Sequence, residues 1–127
     1  MNKVKIFLTV VVLFASIAGF SQSDKEINLA LKTGNVNTIS KYMITNIELI
    51  IGEKEGVYSK SQAIAILKDF YKKNEAKNFS IIHQGGKEGA KYIIGTLQTT
   101  NKSYRVYYLL KQENKKEYIH QLRIENQ

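Results

Sequence analysis

Residues 78–124 read NFSIIHQGGKEGAKYIIGTLQTTNKSYRVYYLLKQENKKEYIHQLRI, and this stretch decides the fold class. Its apolar residues recur with a period of two, the signature of strands whose side chains alternate between faces. The pattern predicts four strands, at 79–84, 91–99, 104–111 and 117–124. The segments between them, Gly85 to Ala90, Thr100 to Ser103 and Gln112 to Lys116, carry Gly or Asn and suit hairpin turns. None has room for a crossover helix, so a meander is expected and a doubly wound parallel sheet is excluded. The glycines precede no helix and no Lys-Ser or Lys-Thr pair, which marks them as hairpin glycines and not a phosphate cradle.

Within these strands Tyr92, Ile94 and Thr96 oppose Ile93, Gly95 and Leu97, and Tyr104, Val106, Tyr108 and Leu110 oppose Arg105, Tyr107 and Leu109. In the last strand Tyr118, His120, Leu122 and Ile124 oppose Ile119, Gln121 and Arg123. Both faces are partly apolar, whereas a flat sheet covered on one side alternates more cleanly. A strongly curved sheet, or a second copy covering the outer side, accounts for the excess.

Upstream, the period lengthens. Ser59 with Gln62 forms a capping-box pattern, and Ala63, Ile66, Leu67, Phe70 and Tyr71 recur on one helical face. This predicts a helix ending near Lys73 and Asn74, with Ala65, Lys68 and Asp69 outside. Earlier still, Ile27, Ala30 and Leu31 predict a short helix from Asp24 to Lys32, capped by Ser23 or Asp24 and stopped by Gly34 and Asn35. A second short helix is expected from Asn37 to Met43, then a strand at 47–51 and a turn at Glu53 to Gly56.

The N-terminus has another character. Lys3 and Lys5 precede the apolar run from Ile6 to Ala18, followed by Gly19, Phe20, Ser21 and Gln22, the layout of a secretory signal peptide. The expected division is a signal peptide over residues 1–21 and a single domain over 22–127, with a cut one or two residues away fitting the same pattern. The apolar run is short of the roughly 20 residues that span a bilayer, so no integral membrane span is expected after cleavage. The formal charge of the 127-residue chain is +8, falling to +6 without Lys3 and Lys5. Lysines are dispersed and arginine occurs only at Arg105 and Arg123, which argues against nucleic acid as a partner. The absence of cysteine excludes disulfides, thiolate metal sites and cysteine nucleophiles.

No cofactor or metal site is expected, and no catalytic residue stands out. Two histidines, His83 and His120, share parity with apolar residues. A catalytic base would need one of them beside Asp69, Glu48 or a Tyr hydroxyl. The stronger compositional signal is tyrosine, with eight residues that each offer an apolar body and a polar tip. Candidate pocket or interface residues are Ile66, Phe70, His83, Tyr92, Tyr104, Tyr108, Tyr118 and His120.

The order helix, helix, strand, capped helix and four-strand meander resembles the nuclear transport factor 2-like (cystatin-like) superfamily. The run Glu55-Gly56-Val57-Tyr58-Ser59-Lys60-Ser61-Gln62-Ala63, then Leu67-Lys68-Asp69-Phe70, Ile82-His83-Gln84-Gly85, Ile94-Gly95-Thr96-Leu97 and Gln121-Leu122-Arg123-Ile124-Glu125, resembles an exported family of uncharacterised function from the Bacteroidota, domain of unknown function 4783. The resemblance implies a cone-like α+β fold, a curved antiparallel sheet wrapped around about three helices. It also implies export to the periplasm or cell envelope of a Gram-negative bacterium, or secretion. It assigns no catalytic residue. The expected function is non-catalytic: binding of a small apolar or amphipathic ligand, or scaffolding. The alternatives are a homodimeric interaction module and a pocket acid-base enzyme of isomerase or dehydratase type.

Overall fold

The computed structural model describes residues 21–127. The proposed signal peptide lies almost wholly outside these residues. Three helices and six strands follow in the order α1 (Gln22–Thr33), α2 (Val36–Lys41), β1 (Met43–Ile51), β2 (Lys54–Ser59), α3 (Lys60–Lys73), β3 (Ala76–Lys87), β4 (Ala90–Thr99), β5 (Ser103–Glu113) and β6 (Lys116–Asn126). No helix among the described residues is long and apolar enough to cross a membrane.

The helices start and stop where side chains satisfy orphan backbone groups. Ser59 caps α3 through the complete capping box with Gln62, as the sequence predicts. Ser21 caps α1 by accepting from the Asp24 N–H, two or three residues earlier than the expected caps. Gly34 closes α1 at φ 71°, and a Cβ there would come within 3.1 Å of the Tyr71 ring, so both conformation and packing require glycine.

The sheet order is β2-β1-β6-β5-β4-β3. The meander β3 to β6 is antiparallel, but β1 pairs with β6 in parallel, so the sheet is mixed and not wholly antiparallel as expected. The expected turn at Glu53 to Gly56 is mostly strand: β2 folds back on β1 with Ile51 opposite Lys54. Weak apolar content hid this exposed edge strand from a pattern-based reading. Met43 is the first residue of β1 and not the end of a helix. Gly85 and Gly86 lie inside β3, leaving only Glu88 and Gly89 to turn the hairpin.

Of four register shifts in the sheet, two change side-chain phase at residues named from the sequence. In β3 the register shifts between Ile81 and His83, and in β5–β6 it shifts where Leu109 meets Gln121 and Leu110 meets Ile119. Such bulges twist and bend the strand that carries the extra residue. Gly95 adds room at the bend, since a Cβ there would collide with the Phe79 ring and lie 2.7 Å from the Ser80 carbonyl. The three helices fill the inner face. Ile27, Leu31, Ile39, Ala63 and Leu67 pack against Leu49, Ile93, Leu97, Val106 and Leu122 in one buried cluster.

Candidate functional site

A buried side-chain cluster fills the space between the helices and the sheet, and two of the clefts open at opposite ends of β5 and β6. At one end, the C-terminal half of α3 faces the ends of β1 and β6 and the start of β5. Phe70 and Tyr104 meet edge to face at 5.0 Å, and the Tyr104 hydroxyl donates to Asn74 Oδ1 at 2.9 Å. With Ile51, Ile124, Lys102 and Glu125 they line a cleft of about 570 Å³. Asn74 caps α3 and also accepts from Asn101 Nδ2 at 2.9 Å, so the β4–β5 turn braces this wall.

At the opposite end of β5 and β6, the first turn of α1 sits over the start of β4. Asp24, 1% exposed, is the one buried charged residue among those described. Lys91 Nζ donates to Asp24 Oδ2 at 2.9 Å and lies 3.3 Å from Glu117 Oε2 and 3.2 Å from Ser21 Oγ. The Ser21 hydroxyl donates to Glu117 Oε1 at 3.0 Å. Burial acts to lower the Lys91 pKa, but the hydrogen bond and charge of Asp24, with Glu117, outweigh it and hold the ammonium above the ordinary lysine value. Asp24 and Lys91 border a cleft of about 430 Å³ whose other wall is the glycine-rich β3–β4 hairpin.

The eight sequence-nominated residues do not form one site. Phe70 and Tyr104 converge on the larger cleft, and Tyr92 lines the smaller one. Ile66 is half-buried and packs against the core. Tyr108 is fully buried, and its hydroxyl donates to Asn28 Oδ1 of α1 at 2.7 Å; burial, then the charges of Asp24 and Glu117, push its pKa well up. His83 and Tyr118 correct the expected phase. The β3 bulge turns His83 away from Phe79 to an exposed place beside Tyr92, with Nε2 3.1 Å from the hydroxyl. The β6 irregularity buries Ile119 with Leu122 and Ile124, so Tyr118 and His120 fall out of phase with the core.

Neither histidine meets Asp69 or Glu48. Asp69 pairs with Lys73 on the exposed side of α3, and His120 Nε2 stands 3.7 Å from Glu113. Among the described residues no three acidic or histidine side chains converge as metal donors. The outer face of the sheet instead carries a short ladder, in which the Tyr92 and Tyr107 rings stack at 6.0 Å and the Arg123 guanidinium lies 5.6 Å over Tyr107.

A bent sheet wrapped around three helices, with clefts at both ends, is the cone-like α+β fold of the nuclear transport factor 2-like superfamily. An NTF2-like protein of unknown function from Cytophaga hutchinsonii matches it at TM-score 0.58 and 15% identity, covering 80% of this chain and 84% of that one. The chain belongs to the domain of unknown function family DUF4783, whose model matches residues 24–125. Crystal structures of two family members are similar. The Bacteroides ovatus protein is 33% identical at TM-score 0.76, covering 80% of this chain and 93% of that one. The Bacteroides uniformis protein is 29% identical at TM-score 0.77, covering 81% and 95%. No curated protein matches the chain.

Proposed function

We propose that the protein is an exported, non-catalytic binding protein that takes a small amphipathic ligand in the cleft between α3 and the sheet. The observation carrying this reading is the Phe70–Tyr104 wall over an apolar floor of Ile51 and Ile124, with Lys102 and Asn74 at the rim. Apolar walls with a few placed polar groups are the usual make-up of a small-molecule site, and about 570 Å³ lies within the usual size range. Lys102 suits an anionic head group, with the tail against Phe70.

Amide NMR titration with decanoate tests this. Saturable shifts at Phe70, Asn74, Tyr104 and Ile124, weakened by Lys102→Glu, are expected. A folded protein whose cleft amides do not respond overturns it.

The ladder on the outer sheet face, with Ile82 of β3 62% exposed, favours a second reading in which another copy covers that face. Sedimentation would then give a dimer mass, reduced to the monomer by Tyr107→Glu.

A further inference from the structure

The donors around Asp24 are all in use. Lys91 has three ammonium hydrogens, and three acceptors surround it: Asp24 Oδ2, Glu117 Oε2 and Ser21 Oγ. The Ser21 hydroxyl hydrogen goes to Glu117 Oε1. Asp24 Oδ1, on a side chain 1% exposed, has no hydrogen-bond partner. Buried carboxylate oxygens are ordinarily met, so an unmet one beside a cavity calls for a donor from outside the chain. Formal charge points the same way: two carboxylates face one ammonium, and the further lining charges Lys87 and Glu88 cancel, leaving a negative excess in a chain whose net charge is +8.

The cavity beside it is walled by a glycine hairpin that lies close against β4. Gly85, Gly86 and Gly89 form its outer wall, and at Gly86, with φ 99°, a Cβ would come 2.8 Å from Lys91 Cα. The cleft has a volume of about 430 Å³ and is bordered further by Gln84, Gln112, Lys87 and Glu88.

We infer that this cleft is a second binding site, separate from the amphipathic one, and that its ligand is a small polar molecule bearing a protonated primary amine. The ammonium donates to Asp24 Oδ1 and Glu117 and restores charge balance, while the remainder of the ligand lies along the glycine wall. A neutral hydroxyl could supply a donor but not the charge, and an anion would face two carboxylates.

The test is an amide NMR titration of the protein with n-butylamine hydrochloride, n-butanol and butyrate in turn. Saturable shifts confined to the amides around Asp24, Gly86, Lys91 and Glu117, with the amine alone, are expected. Glu117→Gln, at a partly exposed position where the amide oxygen can still accept from Ser21, is expected to weaken binding about tenfold by removing one charge-assisted contact. Asp24→Asn is expected to abolish binding; where that variant fails to fold, Glu117→Gln decides. Equal shifts with n-butanol, a response to butyrate, shifts scattered over the surface, or Glu117→Gln binding as tightly as the parent each overturn the assignment. Decanoate binding at the other cleft is read on different amides, so the two sites stand or fall separately.

Discussion

Lys91 of β4 and Asp24 of α1, 67 positions apart, form an ion pair at 2.9 Å that fastens the first turn of the first helix to the start of β4. Asp24 is buried whereas Lys91 retains some solvent contact, so the two ends of the pair are unequal. Removing Lys91 strands a buried carboxylate; removing both charges leaves only the partly exposed Glu117 without its ammonium partner.

Lys91→Met is therefore expected to cost about 3–5 kcal/mol, the usual penalty for an uncompensated buried charge. The double variant Asp24→Asn with Lys91→Met is expected to lose less than the two single losses combined. Urea unfolding of the four proteins measures this coupling, and strict additivity would show that the pair does not act as a unit.

Alkali should separate the variants further. The folded-state pKa of Lys91 is raised, so its contribution is fully present below the unfolded value of 10.5 and is lost as pH rises through the higher folded value. The stability gap between the parent and Lys91→Met is expected to be flat to about that pH and to narrow above it. Tyr71 and Tyr108 are also raised, chiefly by burial, and resist ionisation while the chain is folded. Tyrosinate absorbance is expected to show these two appearing only with unfolding, and Tyr108→Phe to remove one of them.

Gly95→Ala tests the bend. The added methyl group meets the Phe79 ring and the Ser80 carbonyl, and a backbone atom cannot swing aside as a flexible side chain would. A loss of about 1–3 kcal/mol is expected, as for other overpacked interiors. Thermal unfolding unchanged from the parent would show that β3 and β4 separate without cost.

Ser59→Ala removes the hydroxyl that accepts from the Gln62 N–H and leaves only the reciprocal contact of the capping box, the Ser59 backbone N–H donating to Gln62 Oε1. About 1 kcal/mol of stability is expected to go. Amide exchange should rise first at the α3 N-terminus, because the loss is local.

The meander and α3 were legible because their signals are local: alternation, hairpin glycines and asparagines, and a capping box within four residues. Strand β2 escaped because Lys54, Glu55 and Gly56 carry no core-facing pattern, its pairing being made by backbone groups opposite β1. Phase was lost at His83 and Tyr118 because a bulge adds a residue without altering composition, and both faces there are already partly apolar. The Asp24–Lys91–Glu117 cluster was missed altogether. Its only trace in the sequence is a lysine on the same parity as Ile93, Gly95 and Leu97, where a core-facing aliphatic would be ordinary. Of the nominated residues, Phe70 and Tyr104 converged because one lies on the apolar stripe of α3 and the other on the inward phase of β5.

The parallel pairing of β1 with β6 sets an order of assembly. As the chain leaves the ribosome, β1 can find β2 at once, yet its other edge stays open until β6, the strand furthest along the chain, is made. The early hairpin with its helix therefore waits as an unfinished half, and closure of the sheet is a late, long-range event that should slow folding relative to the local hairpins. Release of a chain truncated before β6 would leave β1 as an open edge, the kind of surface on which strands of separate molecules pair and aggregate.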